Sequence, residues 1–362
     1  MGKMSTAIRH PSIVTPHEQS PLLGTENEPA TNPAMLKRGL RGPRATHLEL
    51  SMPQTIGHRG FSAVAPENTM ASFKAAAEAG VEALETDLHL TRDGVVVLCH
   101  DETLQRCYGI KAKVRDLDWS EISRLRTIRE PRQPMPRLID LLEYLDQPGL
   151  EDIWLMLDIK THDDAEEMMK RTADTLASVP SKRPWNTRVM PCCWKATYIK
   201  LSMTYLPDYP ITHVGFSIPY ARCLVDIPNI SFSLMQHTLA SSSGARFLRE
   251  MKQSGIPVYI WTVNEESWME WSVRKGLSGV VTDEVALFHD VCSRMGNTNN
   301  GGTPATTSKR QKVAALNSSF LYQKVRFCSE MAVFHFLSTL FIAREWWRYG
   351  PVSHHISRVL GE

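Results

Sequence analysis

From Gln54 onward, short apolar runs rich in β-branched residues alternate with stretches whose apolar positions recur at helical spacing. The strand-like runs are Thr55–His58, Ala83–Leu88, Val95–His100, Ile153–Ile159, Arg188–Cys193, Ile211–Phe216, Ile230–Met235, Val258–Val263 and Gly279–Thr282. Between several of them lie amphipathic stretches: Thr69–Ala79, Asp164–Ala177, Ala245–Gln253 and Glu265–Arg274. Strands that alternate with helices build a parallel sheet, and eight such units within one domain close into a TIM-type (β/α)8 barrel. Nine candidate strands are one too many for that barrel, so one is expected to be a loop or an accessory strand. Ile211–Phe216 and Ile230–Met235 fit the pattern least well.

The flanks differ from this body. Residues 1–50 are rich in Pro, Thr, Ser, Asn and Glu without a sustained hydrophobic period, which predicts a disordered polar arm rather than a secretory signal. Two short patterns lie in that arm: Gly2 with Thr6 fits a myristoylation template, and Glu18 before Leu22 and Leu23 fits an acidic dileucine sorting signal. The barrel is expected over residues 51–292 and a Gly/Asn/Thr-rich linker over 293–318. Residues 319–362 then turn apolar and aromatic again, with FLYQKVRFCSEMAVFHFLSTLFIAREWW over Phe320–Trp347. Within it Met331–Ala343 carries no formal charge, yet these thirteen residues fall short of the roughly 17–25 that a spanning helix needs. Flanking Lys324, Arg326, Arg344 and Arg348, with Trp346 and Trp347, suit an amphipathic anchor lying in the headgroup region of a cytosol-facing membrane.

Charge supports that division. The chain carries +2 overall, but residues 301–362 hold eight Lys/Arg against three Asp/Glu, so the body is mildly acidic and the tail basic. The seven cysteines form no CxxC pair, which argues against zinc ribbons and thioredoxin-like chemistry and for reduced thiols. No nucleic-acid-binding motif is present.

Chemistry concentrates at strand ends. The first strand ends in His58-Arg59, the second carries Glu85 and Asp87, the third runs into His100, and the fourth ends in Asp158-Ile159-Lys160. Parallel barrel strands share one C-terminal rim, where catalysis is built, so these residues are expected to meet at one mouth. Glu85 and Asp87 are two apart on a strand and point to the same side. Neighbouring carboxylates in one cavity need a cation or a shared proton, and with Asp158 they offer the hard oxygen donors that suit Mg2+ or Ca2+. His58 and His100 are the natural proton-transfer pair.

The stretch IGHRGFSAVAPENTMASFKAAAEAGVEALETDLHLTRDGVVVLCHDETLQRCYG, with its HRG, PENT, ExD, TxDGxxVxxHD and TLxR elements, resembles the signature region of glycerophosphodiester phosphodiesterases. PMPRLIDLLEYL, LMLDIK, VYIWTVN and GVVTD resemble the later blocks of that family in the same order, so the resemblance spans about residues 54–290. It implies a TIM barrel and a divalent metal held by Glu85, Asp87 and the strand-four acid, which is Asp158 where most members have Glu. It further implies phosphate neutralisation by Arg59 and Lys160, support of the metal shell by Asn68, and a more ambiguous place for Glu67. Trp261 would pack on the glycerol unit or belong to the barrel core. The implied reaction is attack of the glycerol 2-hydroxyl on the phosphate, with one histidine as base and the other as acid.

Within the family, LMLDIK, the Cys192-Cys193-Trp194 ending of strand five and the apolar C-terminal segment resemble the fungal phosphatidylglycerol-specific phospholipase C branch. That resemblance implies a glycerol-headed phospholipid as substrate. The alternatives are a water-soluble glycerophosphodiester, an inactive lipid-binding scaffold, and a sphingomyelinase D-like lipase, which shares the strand-four D-x-K arrangement.

Overall fold

The computed structural model describes residues 42–43, 52–299 and 352–361. It contains nine strands: β1 (Gln54–Gly57), β2 (Ala83–Leu90), β3 (Val96–Leu98), β4 (Trp154–Ile159), β5 (Val189–Cys193), β6 (Ile211–Gly215), β7 (Ile230–Met235), β8 (Val258–Trp261) and β9 (Gly279–Thr282). Eight run parallel, and β1 pairs with both β2 and β9, so the sheet closes into a (β/α)8 barrel. Ile211–Gly215 and Ile230–Met235 are both full barrel strands, paired to each other over five residues.

The extra strand is β3. It runs antiparallel to β2, with Leu88 opposite Leu98 and Leu90 opposite Val96. The physical reason lies in the Thr91-Arg92-Asp93-Gly94 turn, where Gly94 adopts φ +79 and its N–H donates to the Thr91 carbonyl, so the chain doubles back at once. A parallel neighbour would need a crossover of a dozen residues. His100 therefore does not end a barrel strand. It is returned to the rim by a hairpin that extends β2 beyond the mouth.

Alternation along each strand decides what faces the lumen. Ile56, Ala83, Trp154, Met156, Met190, Cys192, Val214, Tyr259 and Val281 fill the interior, while Leu84, Leu88, Leu155, Leu157 and Ile159 pack outward under the helices. Because side chains alternate, Glu85 and Asp87 continue the inward row of Ala83, and Asp158 continues that of Trp154 and Met156. The apolar floor thus passes upward into a charged mouth. At the floor, Trp154 Nε1 donates to Gln54 Oε1 at 2.9 Å, and the Tyr259 hydroxyl donates to the Pro43 carbonyl at 2.8 Å. The polar arm expected over 1–50 is therefore interrupted: Pro43 is buried, because the Tyr259 hydroxyl at the barrel floor needs an acceptor there. The rest of that arm lies outside the described residues.

Residues 99–137, between β3 and the helix Leu138–Leu145, form a lobe beside the mouth with its own small core of Cys99, Leu104, Tyr108, Val114, Ile122 and Met135. At the other end the helix Val285–Asn299 runs seven residues into the expected linker. Phe320–Trp347 lies outside the described residues. The helix Val352–Leu360 packs on the barrel helix Ala196–Tyr205 and buries Ile356, so this last helix of the tail belongs to the globular body. Among the described residues, no helix is long and apolar enough to cross a membrane.

Candidate active site

The loop after β1 delivers His58 and Arg59. Gly60 follows at φ +82, and a Cβ there would lie 2.5 Å from the Ser72 hydroxyl, so only glycine lets the loop press against the next helix. That helix, Met70–Glu78, starts with a reciprocal capping box between Thr69 and Ser72, and Ser72 Oγ also donates to the Arg59 carbonyl at 2.8 Å. The PENT sequence is thus a loop end and a helix start that hold Arg59 in place. Its Asn68, itself at φ 52, donates from Nδ2 to Asp87 at 2.7 Å and accepts from Thr86 at 2.8 Å.

Glu85, Asp87 and Asp158 come together as expected. All three are buried, and each offers an oxygen within 4.8 Å of the others. The Lys160 ammonium bridges Asp87 and Asp158, 2.6 Å from each, and Arg59 Nε lies 3.2 Å from Asp87. The ion pairs leave Glu85 without a side-chain cation; its bond is to the Arg59 backbone N–H at 2.9 Å. Burial, and then the charge of Asp87, push the Glu85 carboxyl up to about 7. For Asp87 burial acts in the same direction, but Lys160 and Arg59 outweigh it and hold the carboxyl far below the usual range. Three hard oxygen donors against two fixed cations leave a buried site with anionic capacity to spare, which fits a divalent cation. Arg59 Nε is buried without a well-aligned acceptor and lines the same pocket, as a phosphate-binding group would.

The two histidines stand on either side of this cluster and are held by different acids. His58 Nδ1 meets Asp283 Oδ1 at 2.7 Å, and Asp283 also accepts from Ser62 at 2.5 Å and Asn264 at 2.6 Å. Burial pulls the His58 pKa down, but the Asp283 hydrogen bond and the Glu85 charge outweigh it, and the net shift is upward. His100 Nδ1 meets Asp101 Oδ1 at 2.7 Å, and Asp101 is clamped by Arg106 Nε at 2.7 Å. Burial lowers the His100 pKa, and Lys160 and Arg59 add to it; the net shift is downward despite Asp87. Glu67 does not line the pocket. It joins Arg59 to Arg106, at 2.7 and 2.6 Å, and so ties the first loop to the lobe that carries His100.

Across the pocket stands an apolar wall of Met156, Val214, Val281, Trp194 and Trp261. Trp261 lines the mouth rather than the sealed core; its indole donates to the Ser233 carbonyl, and its ring meets Trp194 edge-on at 5.5 Å between centroids. Trp194 Nε1 donates to Asp158 Oδ1 at 2.6 Å, so the shorter acid is fixed from both sides, by Trp194 and Lys160. Asp283 and Trp194 follow β9 and β5 directly, and the strand-end rule that singled out His58 applies equally to them. Asp101 follows His100 at the end of the third run and Arg106 is the arginine of the TLxR element, whereas the buried His89 is less legible. His89 links Asp163 at 2.8 Å to the His100 carbonyl at 3.4 Å, a contact that depends on the hairpin.

Residues 58–287 match the model of the Glycerophosphoryl diester phosphodiesterase family. The chain belongs to this family. It is a phosphoric diester hydrolase with glycerophosphodiester phosphodiesterase activity. It is 25% identical over 237 residues to the glycerophosphodiester phosphodiesterase of Caldanaerobacter subterraneus, covering 63% of this chain and 93% of that one. It is 27% identical over 279 residues to human lysophospholipase D GDPD1, covering 65% of this chain and 84% of the relative. Among solved structures, the glycerophosphodiester phosphodiesterase of Thermotoga maritima superposes with a TM-score of 0.54 at 26% identity, over 66% of this chain and 98% of that one. A phosphodiesterase of Oleispira antarctica in complex with the product sn-glycerol-3-phosphate shares the fold with a TM-score of 0.59 at 22% identity, over 67% and 97% of the two chains.

Proposed function

We propose that this glycerophosphodiesterase acts on a glycerol-headed phospholipid, cleaving phosphatidylglycerol to diacylglycerol and a glycerol phosphate in the manner of a phospholipase C. The observation that carries this reading is the two-faced pocket. One side gathers cations and carboxylates around a phosphate-sized space. The other is apolar, and every carboxylate that lines the pocket is already committed to the acidic cluster. A neutral glycerol headgroup fits such a mouth better than a quaternary ammonium, which draws on a free acid beside its aromatic cage.

The chemistry follows from the two histidines. His100, held below its ordinary pKa, takes the proton of the headgroup 2-hydroxyl as that oxygen attacks phosphorus. His58, held above its ordinary pKa, gives a proton to the departing diacylglycerol oxygen. The immediate product is a cyclic glycerol phosphate, which water opens. Arg59 Nε, 3.2 Å from Asp87 but without a well-aligned hydrogen bond, can turn to a phosphoryl oxygen, and Lys160 retains one N–H beyond the two given to Asp87 and Asp158. Glu85, Asp87 and Asp158 would hold Mg2+ or Ca2+, which when bound stabilises the charge growing on the phosphoryl oxygens. Asn68 keeps Asp87 oriented for that task, and Trp261 packs against the headgroup carbons.

Turnover on mixed micelles of phosphatidylglycerol, and separately on glycerophosphocholine, tests the reading. Release of diacylglycerol at a rate at least about tenfold above cleavage of the soluble diester is expected. Cleavage of glycerophosphocholine alone would overturn the lipid assignment and leave a soluble-diester enzyme.

A further inference from the structure

Four large hydrophobic side chains stand exposed among the described residues: Val64 at 55%, Ile110 at 37%, Ile128 at 57% and Met203 at 43%. Single exposed aliphatics are common and need no explanation. Three of these four, however, stand on linked segments beside the catalytic mouth. Ile128 donates its backbone N–H to the Cys107 carbonyl at 2.8 Å, and its side chain lies 3.4 Å from the Cβ position of Gly109, the residue before Ile110. Arg129, next to Ile128, donates to the carbonyls of Ser62, Ala63 and Ala65 at 2.6–3.0 Å and so fixes the turn that raises Val64. The turn holding Val64 directly follows His58 and Arg59, and Arg106 of the lobe clamps the Asp101 that orients His100. The three aliphatic side chains therefore mark the rim of the active site.

The charge around them is predominantly positive. Residues 105–133 carry eight Lys/Arg against four Asp/Glu. Lys111 and Arg124 are exposed and make no ion pair among the described residues, while the Arg126 guanidinium is spent on the carbonyls of Ser123 and Leu125 and keeps its charge uncompensated. Exposed aliphatics on segments that also carry unpaired cations have the composition of surfaces that insert shallowly between anionic lipid headgroups. A soluble protein partner would also accept an apolar patch. The excess of unpaired cations and the position at the mouth of a lipid-diester pocket favour the membrane.

We infer that the Val64–Ile110–Ile128 rim, with Lys111, Arg124 and Arg126, is an interfacial docking surface for an anionic membrane, which seats the mouth on the bilayer independently of the C-terminal segment. The inference shares the lipid-substrate reading, but its test does not use the reaction. The full chain is mixed with vesicles of phosphatidylcholine containing phosphatidylserine, and with phosphatidylcholine alone. Partitioning is read by co-sedimentation, and backbone hydrogen exchange is followed at 62–65 and 105–133. The wild-type chain is expected to prefer anionic vesicles and to gain exchange protection in both segments. The V64S/I110S/I128S variant is expected to lose roughly tenfold or more in partitioning, and K111E/R124E/R126E more again, since each cation at an anionic surface contributes about fivefold. Both variants change exposed side chains and should keep wild-type turnover on glycerophosphocholine, which reports an intact fold and site. The inference is overturned if neither segment gains protection on vesicles, or if both variants bind anionic vesicles as well as the wild type. Retained binding without rim protection would assign the membrane contact to another part of the chain.

Discussion

Replacing His100 with alanine is expected to lower turnover by about two to four orders of magnitude, and His58→Ala by a similar factor, while both proteins stay folded. The two losses should differ in kind. In the proposed mechanism His58 is the acid that protonates the leaving oxygen, and a leaving group that departs well as an anion has little need of it. On a glycerol phosphodiester of p-nitrophenol, His58→Ala should therefore recover most of its activity, whereas His100→Ala should not, because the 2-hydroxyl still needs a base. The assignment rests on the opposite surroundings of the two rings: Asp283 and Glu85 raise His58, and burial with Lys160 and Arg59 lowers His100. Recovery by the His100 variant instead would exchange the two roles.

The second large effect is expected at Glu85. Glu85→Gln should weaken Mg2+ or Ca2+ binding by roughly a hundredfold or more and carry turnover down with it, since it removes an inner ligand rather than an outer partner. The metal-free protein should nevertheless gain stability. Burial and the Asp87 charge raise the Glu85 carboxyl from 4.5 to about 7 in the folded chain. A raised carboxyl contributes stability that is fully present below the unfolded value and is lost as pH climbs through the folded one. Metal-free wild-type protein should therefore lose stability from about pH 4.5 to beyond pH 7, by about 3 kcal/mol at most from this group. Glu85→Gln should flatten that slope. A bound divalent ion should reverse the trend, because it binds the deprotonated form and displaces the proton. Thermal melts of both proteins between pH 5 and 8, with EDTA and with added metal, read all three effects. A wild-type melting temperature indifferent to metal across that range would remove the metal from the site.

The barrel was legible because its strands are buried on both faces and read as β-rich apolar runs, and the chemistry was legible because it falls where those runs stop. His58, Arg59, Glu85, Asp87, Asp158 and Lys160 all meet in one pocket for that reason. His100 reaches the same pocket by a different route. Periodicity shows that Val96–Leu98 is a strand, but its direction depends on the four-residue turn before it, and a hydrophobic pattern carries no direction. The same limit made Ile211–Gly215 and Ile230–Met235 seem the weakest barrel strands. Each is short and interrupted by Thr, His or Ser: Ser231 donates to the Ile211 carbonyl at 3.2 Å, His213 meets the Cys193 carbonyl at 3.0 Å on the outer, helix-covered face, and Thr212 Oγ1 is buried without a partner among the described residues. Asp283 and Trp194 were within reach of the strand-end rule. Arg106, Glu67 and His89 were not, since each acts through contacts that only the folded hairpin and lobe create. The exposed rim is likewise invisible in sequence, where Ile110 and Ile128 look like any other aliphatic positions of an amphipathic stretch.

If the hydroxyl next to the phosphate is the nucleophile of this metal-dependent site, only diesters that carry it should be cleaved. The most direct test follows cleavage of glycerophosphocholine and of its analogue lacking the 2-hydroxyl by phosphorus NMR, with Mg2+ or Ca2+ and again with EDTA. Cleavage of the first compound alone, through a cyclic phosphate and only with metal, is the predicted result. Equal cleavage of both compounds would make water the nucleophile and rule out attack by the 2-hydroxyl.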